Sequence, residues 1–163
     1  VSSNDILSAI VVKKTFDNQK AQIAKQFTLT IPMDIRNQVK ELGPKFFGNG
    51  LMFHHLNLSI DQLDKMDISE LALKIRESIP SIDTYKYLEY LRDLESEIDR
   101  TTIHTLNPYD PETGCLVTNL SRMPIHKLNF GSRPPKIIFP LTLAKNSAAI
   151  LANKENYLLR LVF

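Results

Sequence analysis

The heptapeptide FTLTIPM, residues 27–33, alternates without interruption. Phe27, Leu29, Ile31 and Met33 share one parity, and Thr28, Thr30 and Pro32 the other. Successive side chains of a strand point to opposite faces, so this pattern predicts a strand buried on one side only. Pro32 has no N–H to donate, which predicts a strand end or a sheet edge at that position. LMFHHLNLSI (51–60) repeats the pattern, with Met52, His54, Leu56, Leu58 and Ile60 on one parity. Between the two runs lies DIRNQVKELGPKFFGNG, read as a loop with turn signals at Gly43-Pro44 and Gly48-Asn49-Gly50.

Helical periods surround these strands. Ser3 and Asn4 are suited to cap a helix starting at Asp5 and running to about Ala24, with Ile6, Leu7, Ile10 and Val11 as its buried stripe. Asp5 in the first turn suits the helix dipole. In DISELALKIRESIP, Asp67 and Glu70 have capping-box spacing; Ile68, Leu71, Ala72, Ile75 and Ile79 form the stripe, and Pro80 ends it. Asp83 or Thr84 caps a longer helix in which Tyr87, Leu91, Leu94 and Ile98 make a seam for a neighbour. Strand patterns then return in CLVTNL and KIIFPLTL. AAILA and YLLRLVF, on either side of Asn153–Asn156, read as a hairpin. The order predicts a single α/β domain over 1–163: a mixed-sheet two-layer sandwich with helices on one face.

The totals narrow the function classes. A 43% apolar fraction suffices for a core. No apolar run approaches the roughly 20 residues that span a bilayer, and the first residues lack the order of a signal peptide. With Cys115 as the one cysteine, no internal disulfide or cysteine-rich metal site can form; a cytoplasmic location fits. The net charge of +2 is unevenly placed. Acids crowd Asp83–Asp99, whereas Thr113–Lys154 has none and carries Arg122, Lys127, Arg133, Lys136, Lys145 and Lys154. That stretch is either an ordinary solvated face or a positive field for an anionic ligand.

The residues alone show no chemistry. His54 and His55 are adjacent on a strand and point to opposite faces, so they cannot chelate one metal together; one core and one exposed histidine is the simpler reading. Cys115 at a strand start reads as a small buried thiol. His104 and His126 are isolated. Walker, G-x-G-x-x-G and G-x-S-x-G patterns are absent from the sequence. Phe130 and Phe139 among the basic residues read as core positions rather than as a nucleic-acid platform.

Five segments in order resemble the C-terminal half of the BAHD acyltransferases, members of the chloramphenicol-acetyltransferase-like superfamily. VSSNDILSAI resembles the family's S-[ST]-N-D-x-L-x-A helix start, and TIPMDIRNQV its strand ending in D-x-R. FFGNG is similar to the Y-F-G-N turn, ISELALKIRESI to the L-A-x-x-I-R helix, and NFGSRPPK to the D-F-G-W-G-[KR]-P signature. The resemblance implies a chloramphenicol-acetyltransferase-like lobe, one of two α/β lobes with a solvent channel between them. It implies acyl-CoA as co-substrate, a small-molecule alcohol or amine as acceptor, and no metal. The family's general base is the histidine of an H-x-x-x-D motif in the first lobe. No histidine here has an aspartate four residues on. The catalytic residue is therefore expected from an N-terminal lobe outside this sequence, and the chain alone is expected to be inactive. The alternative is a non-catalytic, condensation-domain-like or degenerate binding lobe.

The resemblance also assigns residues. Arg133 and Lys136, and more weakly Ser2 and Ser3, are implied as CoA phosphate contacts. Arg36, Asn129, Phe130 and Gly131 carry the structural motif. The family's signature aspartate pairs with an arginine, here a role for Arg36; Asn129 stands in its place, Ser132 replaces the tryptophan and Arg133 the second glycine. A charged hydrogen bond contributes about 1.5–3 kcal/mol against roughly 1 for a neutral one, so this joint is expected to be weaker. Gly131 keeps the turn.

Overall fold

The computed structural model describes residues 1–20, 25–100, 108–124, 127–129, 131, 144–152 and 156–163. Helix α1 (Ser3–Gln19) leads into strand β1 (Gln26–Asp34) and, after a stretch of turns, β2 (Leu51–Ser59). Three helices follow: α2 (Ile60–Lys65), α3 (Ile68–Ser78) and α4 (Thr84–Arg100). Among the described residues, strands β3 (Gly114–Asn119), β4 (Ser147–Ala152) and β5 (Tyr157–Val162) join them in one mixed sheet of order β2-β1-β3-β4-β5. The inner strands β1, β3 and β4 run parallel, and each edge strand is antiparallel to its neighbour. The strand read from KIIFPLTL (136–143) lies outside the described residues.

The alternation in β1 decides which way the sheet faces. Phe27 and Leu29 are fully buried and Ile31 and Met33 nearly so. Their face continues through Leu58, Cys115, Val117, Ala148 and Ile150, and against it pack Val12 and Phe16 of α1 with Leu71 and Ile75 of α3. The Phe16 and Phe27 rings meet edge-on, with centroids 6.0 Å apart, an arrangement favoured by the ring quadrupoles. Pro32 belongs to an inner strand, yet it lies beyond Thr30, the last β1 residue paired with β3. Its missing donor therefore interrupts no inner ladder.

The helices are read less well. α1 begins at Ser3, with Ser2 as the cap in place of Ser3 or Asn4. Its buried stripe is Asp5, Ser8, Ala9, Val12, Phe16 and Gln19 with Val11 and Thr15, whereas Ile6 and Ile10 are exposed. Polar members hide that stripe from a reading based on apolar residues. Ile60, read as strand, opens α2; the Ser59 hydroxyl accepts from the Gln62 N–H and ends the strand there. α3 agrees with its reading: Asp67 and Glu70 exchange capping bonds of 2.8 and 3.0 Å, and Leu71, Ala72 and Ile75 are buried. Asp83 caps α4 through the Lys86 N–H at 2.9 Å. Of the seam expected on α4 only Tyr87 is buried; Leu91, Leu94 and Ile98 are 37–40% exposed.

Candidate functional site

Parallel β1 and β3 end together at one rim of the sheet, and the N-terminus of α1 is tied to that rim. The Asn119 amide, on the last residue of β3, donates to Asn4 Oδ1 at 2.7 Å. Asn119 Oδ1 accepts from the Ser121 N–H at 2.8 Å and shapes the turn that carries exposed Arg122.

Beside this joint, Asp5 is 1% exposed. Its carboxylate accepts from the Ser2 N–H (2.5 Å), the Ser2 hydroxyl (2.9 Å) and Arg76 Nε (2.9 Å). Arg76 Nη2 also donates to the Ser2 hydroxyl at 2.8 Å. Burial alone would raise the Asp5 carboxyl; the Ser2 N–H, the Ser2 hydroxyl and the Arg76 guanidinium outweigh it and hold it below the usual carboxylate value. The cluster fastens α1 to α3. It also commits the Ser2 hydroxyl, while Ser3 stays exposed.

Arg36 sits just past the end of β1. Its guanidinium donates to Asp34 (2.8 Å) and to the Gly48 carbonyl (2.9 Å). The Ile35 N–H reaches the Gly50 carbonyl at 3.0 Å. Arg36 thus holds the FFGNG turn against the strand, and a Cβ on Gly50 would come within 2.7 Å of Arg36 Cγ. Phe47, in that turn, is fully exposed. Asn129 is exposed, and Gly131 has φ +117°, a backbone region that favours glycine. Phe130, Ser132, Arg133 and Lys136 lie outside the described residues, as do His104 and His126.

The sheet face away from the core carries a different set of residues. Thr28, Thr30, Phe53, His55, Asn57, Leu116, Thr118, Leu151, Leu158, Arg160 and Val162 share its parity, and none joins the hydrophobic core. Thr28 Oγ1 donates to Asn57 Oδ1 at 2.9 Å, and Thr30 Oγ1 lies 3.0 Å from His55 Nδ1. On the core face, His54 Nε2 lies 3.1 Å from Ser78 Oγ, which itself donates to the Ile75 carbonyl. His54 is therefore the donor of that pair. Burial lowers both imidazoles, and for His54 the neighbouring His55 adds to the effect. Cys115 is fully buried, and desolvation pushes its thiol far up, as suits an inert core thiol. Among the described residues no group of three or more His, Cys, Asp or Glu side chains gathers as a metal site, and no helix is long and apolar enough to cross a membrane.

Sequence reading missed the Asp5–Arg76–Ser2 cluster and the Asn4–Asn119 joint. Asp5 stood out only as a first-turn acid; its partner is 71 residues away.

Among the described residues this is a mixed sheet of five strands with helices against one face, an α/β fold shared with solved structures. Vinorine synthase superposes with a TM-score of 0.73 over 99% of this chain at 16% identity. TRI101 of F. graminearum, complexed with ethyl coenzyme A, gives 0.68 over 95% at 16% identity. TRI101 of F. sporotrichioides, complexed with coenzyme A and T-2, gives 0.70 over 95% at 13%. The chain spans 36–38% of the length of these structures. The chain belongs to the Transferase family, the BAHD-type acyltransferases, whose sequence profile matches residues 2–156. No curated protein matches it in sequence.

Proposed function

We propose that the chain is the C-terminal lobe of an acyl-CoA-dependent acyltransferase that acylates an alcohol or an amine. The family match over residues 2–156 carries this reading. TRI101 complexed with coenzyme A and T-2 mycotoxin, or with coenzyme A and deoxynivalenol, supports acyl-CoA as donor and a small molecule as acceptor. In this reading the sheet face away from the core is one wall of the acceptor channel. The rim of strand ends lies toward the CoA mouth, where Arg133 and Lys136 contact phosphate. Ser3 is better placed than Ser2 for such a contact, because the Ser2 hydroxyl is already held by Asp5 and Arg76.

The base comes from the first lobe. Its histidine removes the acceptor proton, the freed oxygen or nitrogen attacks the thioester carbonyl, and the CoA thiolate leaves and is protonated. None of the four histidines of this sequence lies in H-x-x-x-D. The test is release of CoA thiol from acetyl-CoA by the chain joined to a first lobe, across a panel of alcohols and amines. Turnover with at least one acceptor is expected. A folded two-lobe protein that binds CoA but transfers to none overturns the transferase reading. That result favours the second reading, a non-catalytic binding lobe, whose support is the altered signature Asn129, Ser132 and Arg133.

A further inference from the structure

We propose that His55 selects the acceptor, by hydrogen-bonding a hydroxyl or carbonyl that an uncharged acceptor carries away from the atom being acylated. The inference rests on the reading of the outer sheet face as the channel wall, and it names what that wall recognises. His55 stands in the middle of β2, across from Thr30. The Thr30 hydroxyl, on a residue with no exposed surface, holds Nδ1 at 3.0 Å and so fixes the ring. Nε2 has no partner among the described residues. Two positions along the same face, Thr28 donates to Asn57 Oδ1 at 2.9 Å, and the Asn57 amide hydrogens, with no partner among the described residues, can serve a ligand. Both outward groups are held by a side chain of the neighbouring strand, so little rotamer freedom is lost when they bind.

The charge of the face decides the class of ligand. Among the described residues its strands carry two charged side chains: Asp34, at the end of β1 and paired with Arg36, and Arg160, on β5 at the opposite edge of the sheet from His55. A neutral ligand complements such a face, with its polar side over β1 and β2 and its apolar body toward Leu116 and exposed Leu158. Burial lowers the His55 imidazole, which keeps the ring neutral near pH 7. It then offers a directional hydrogen bond rather than a charge. Among the described residues the Thr30 hydroxyl, and no carboxylate, orients His55, which suits a specificity residue rather than a second base.

The experiment uses the chain joined to a first lobe, acetyl-CoA as donor, and pairs of alcohols that differ by one remote hydroxyl. His55→Leu is expected to lower kcat/KM for the hydroxylated member about ten-fold and to leave its deoxy partner within about two-fold, the scale of one hydrogen bond. His55→Gln, which keeps a donor and an acceptor, should restore much of the preference. Leu116→Trp examines the wall separately, since it should slow every acceptor. If Leu116→Trp blocks turnover while His55→Leu leaves the ratio unchanged, the selector role is overturned and the wall stands. If Leu116→Trp changes nothing, the wall reading falls and the His55 role with it. An unchanged thermal midpoint in His55→Leu shows that the loss is not one of folding.

Discussion

Asp5 is the residue whose burial most needs its partners. A carboxylate with 1% exposure is stable only because two groups on Ser2 and the Arg76 guanidinium surround it. Its pKa is lowered in the folded state, so the stabilisation is present above the unfolded value, about 4, and is lost as pH falls through the folded one. Asp5→Asn should destabilise the chain at pH 7 by about 2–3 kcal/mol, the scale of charged hydrogen bonds. It should also flatten the loss of stability below about pH 4; denaturant midpoints measured across pH check both. His54 acts in a higher window. Its imidazole is lowered by burial and by His55, so the unfolded chain takes up the proton first as pH falls below about 6.5. Stability then decreases with falling pH until the folded value is reached; His55, lowered by burial as well, adds a slope of the same sign, so His54→Gln should reduce the slope and leave the His55 part. At this scale the sequence is only partly readable. It showed that His54 and His55 face opposite sides, because that follows from strand geometry alone. It could not show that Arg76 reaches Asp5, because that contact depends on how α3 lies across α1.

Among the elements, the strands are legible and the helix faces are not. Alternation in β1 is a local property, and one buried side suffices to place the core. The buried stripe of α1 includes Asp5, Ser8, Thr15 and Gln19, residues that a hydrophobicity pattern assigns to solvent; the Gln19 amide nitrogen donates to the distant Pro111 carbonyl at 2.7 Å. The pattern of α4 is amphipathic, yet Leu91, Leu94 and Ile98 stay more than a third exposed among their surroundings. Periodicity reports which residues share a face, not what covers it. One glycine fixes a strand junction. A Cβ on Gly114 would stand 2.3 Å from the Thr28 carbonyl oxygen, backbone that cannot swing aside. Gly114→Ala should therefore force β1 and β3 apart and cost about 1–3 kcal/mol, as overpacking does, measured as a lower denaturant midpoint. Asp67→Ala removes one capping bond of α3 and should cost about 1 kcal/mol by the same measurement.

For the molecule as a whole, the two faces of the sheet differ in what they carry. One face closes a core with α1 and α3, and the other presents Thr28, Thr30, His55 and Asn57 beside Phe53 and Leu116. Five ordered motifs were enough to suggest the fold; of those within the described residues, VSSND is a helix start, MDIR a strand end and ISELALKIRES a whole helix. The candidate site was less legible. In the proposed reading a second lobe supplies the other wall of its cleft, and the residues read as phosphate contacts, Arg133 and Lys136, lie outside the described residues. Acyl transfer should therefore depend on a histidine that this sequence does not supply. The direct measurement is thiol release from acetyl-CoA in three samples: the chain alone, the chain with a first lobe, and the same pair with the H-x-x-x-D histidine of that lobe changed to alanine. Turnover is expected in the second sample only; transfer by the chain alone, or transfer that survives loss of that histidine, would contradict a base supplied by the first lobe.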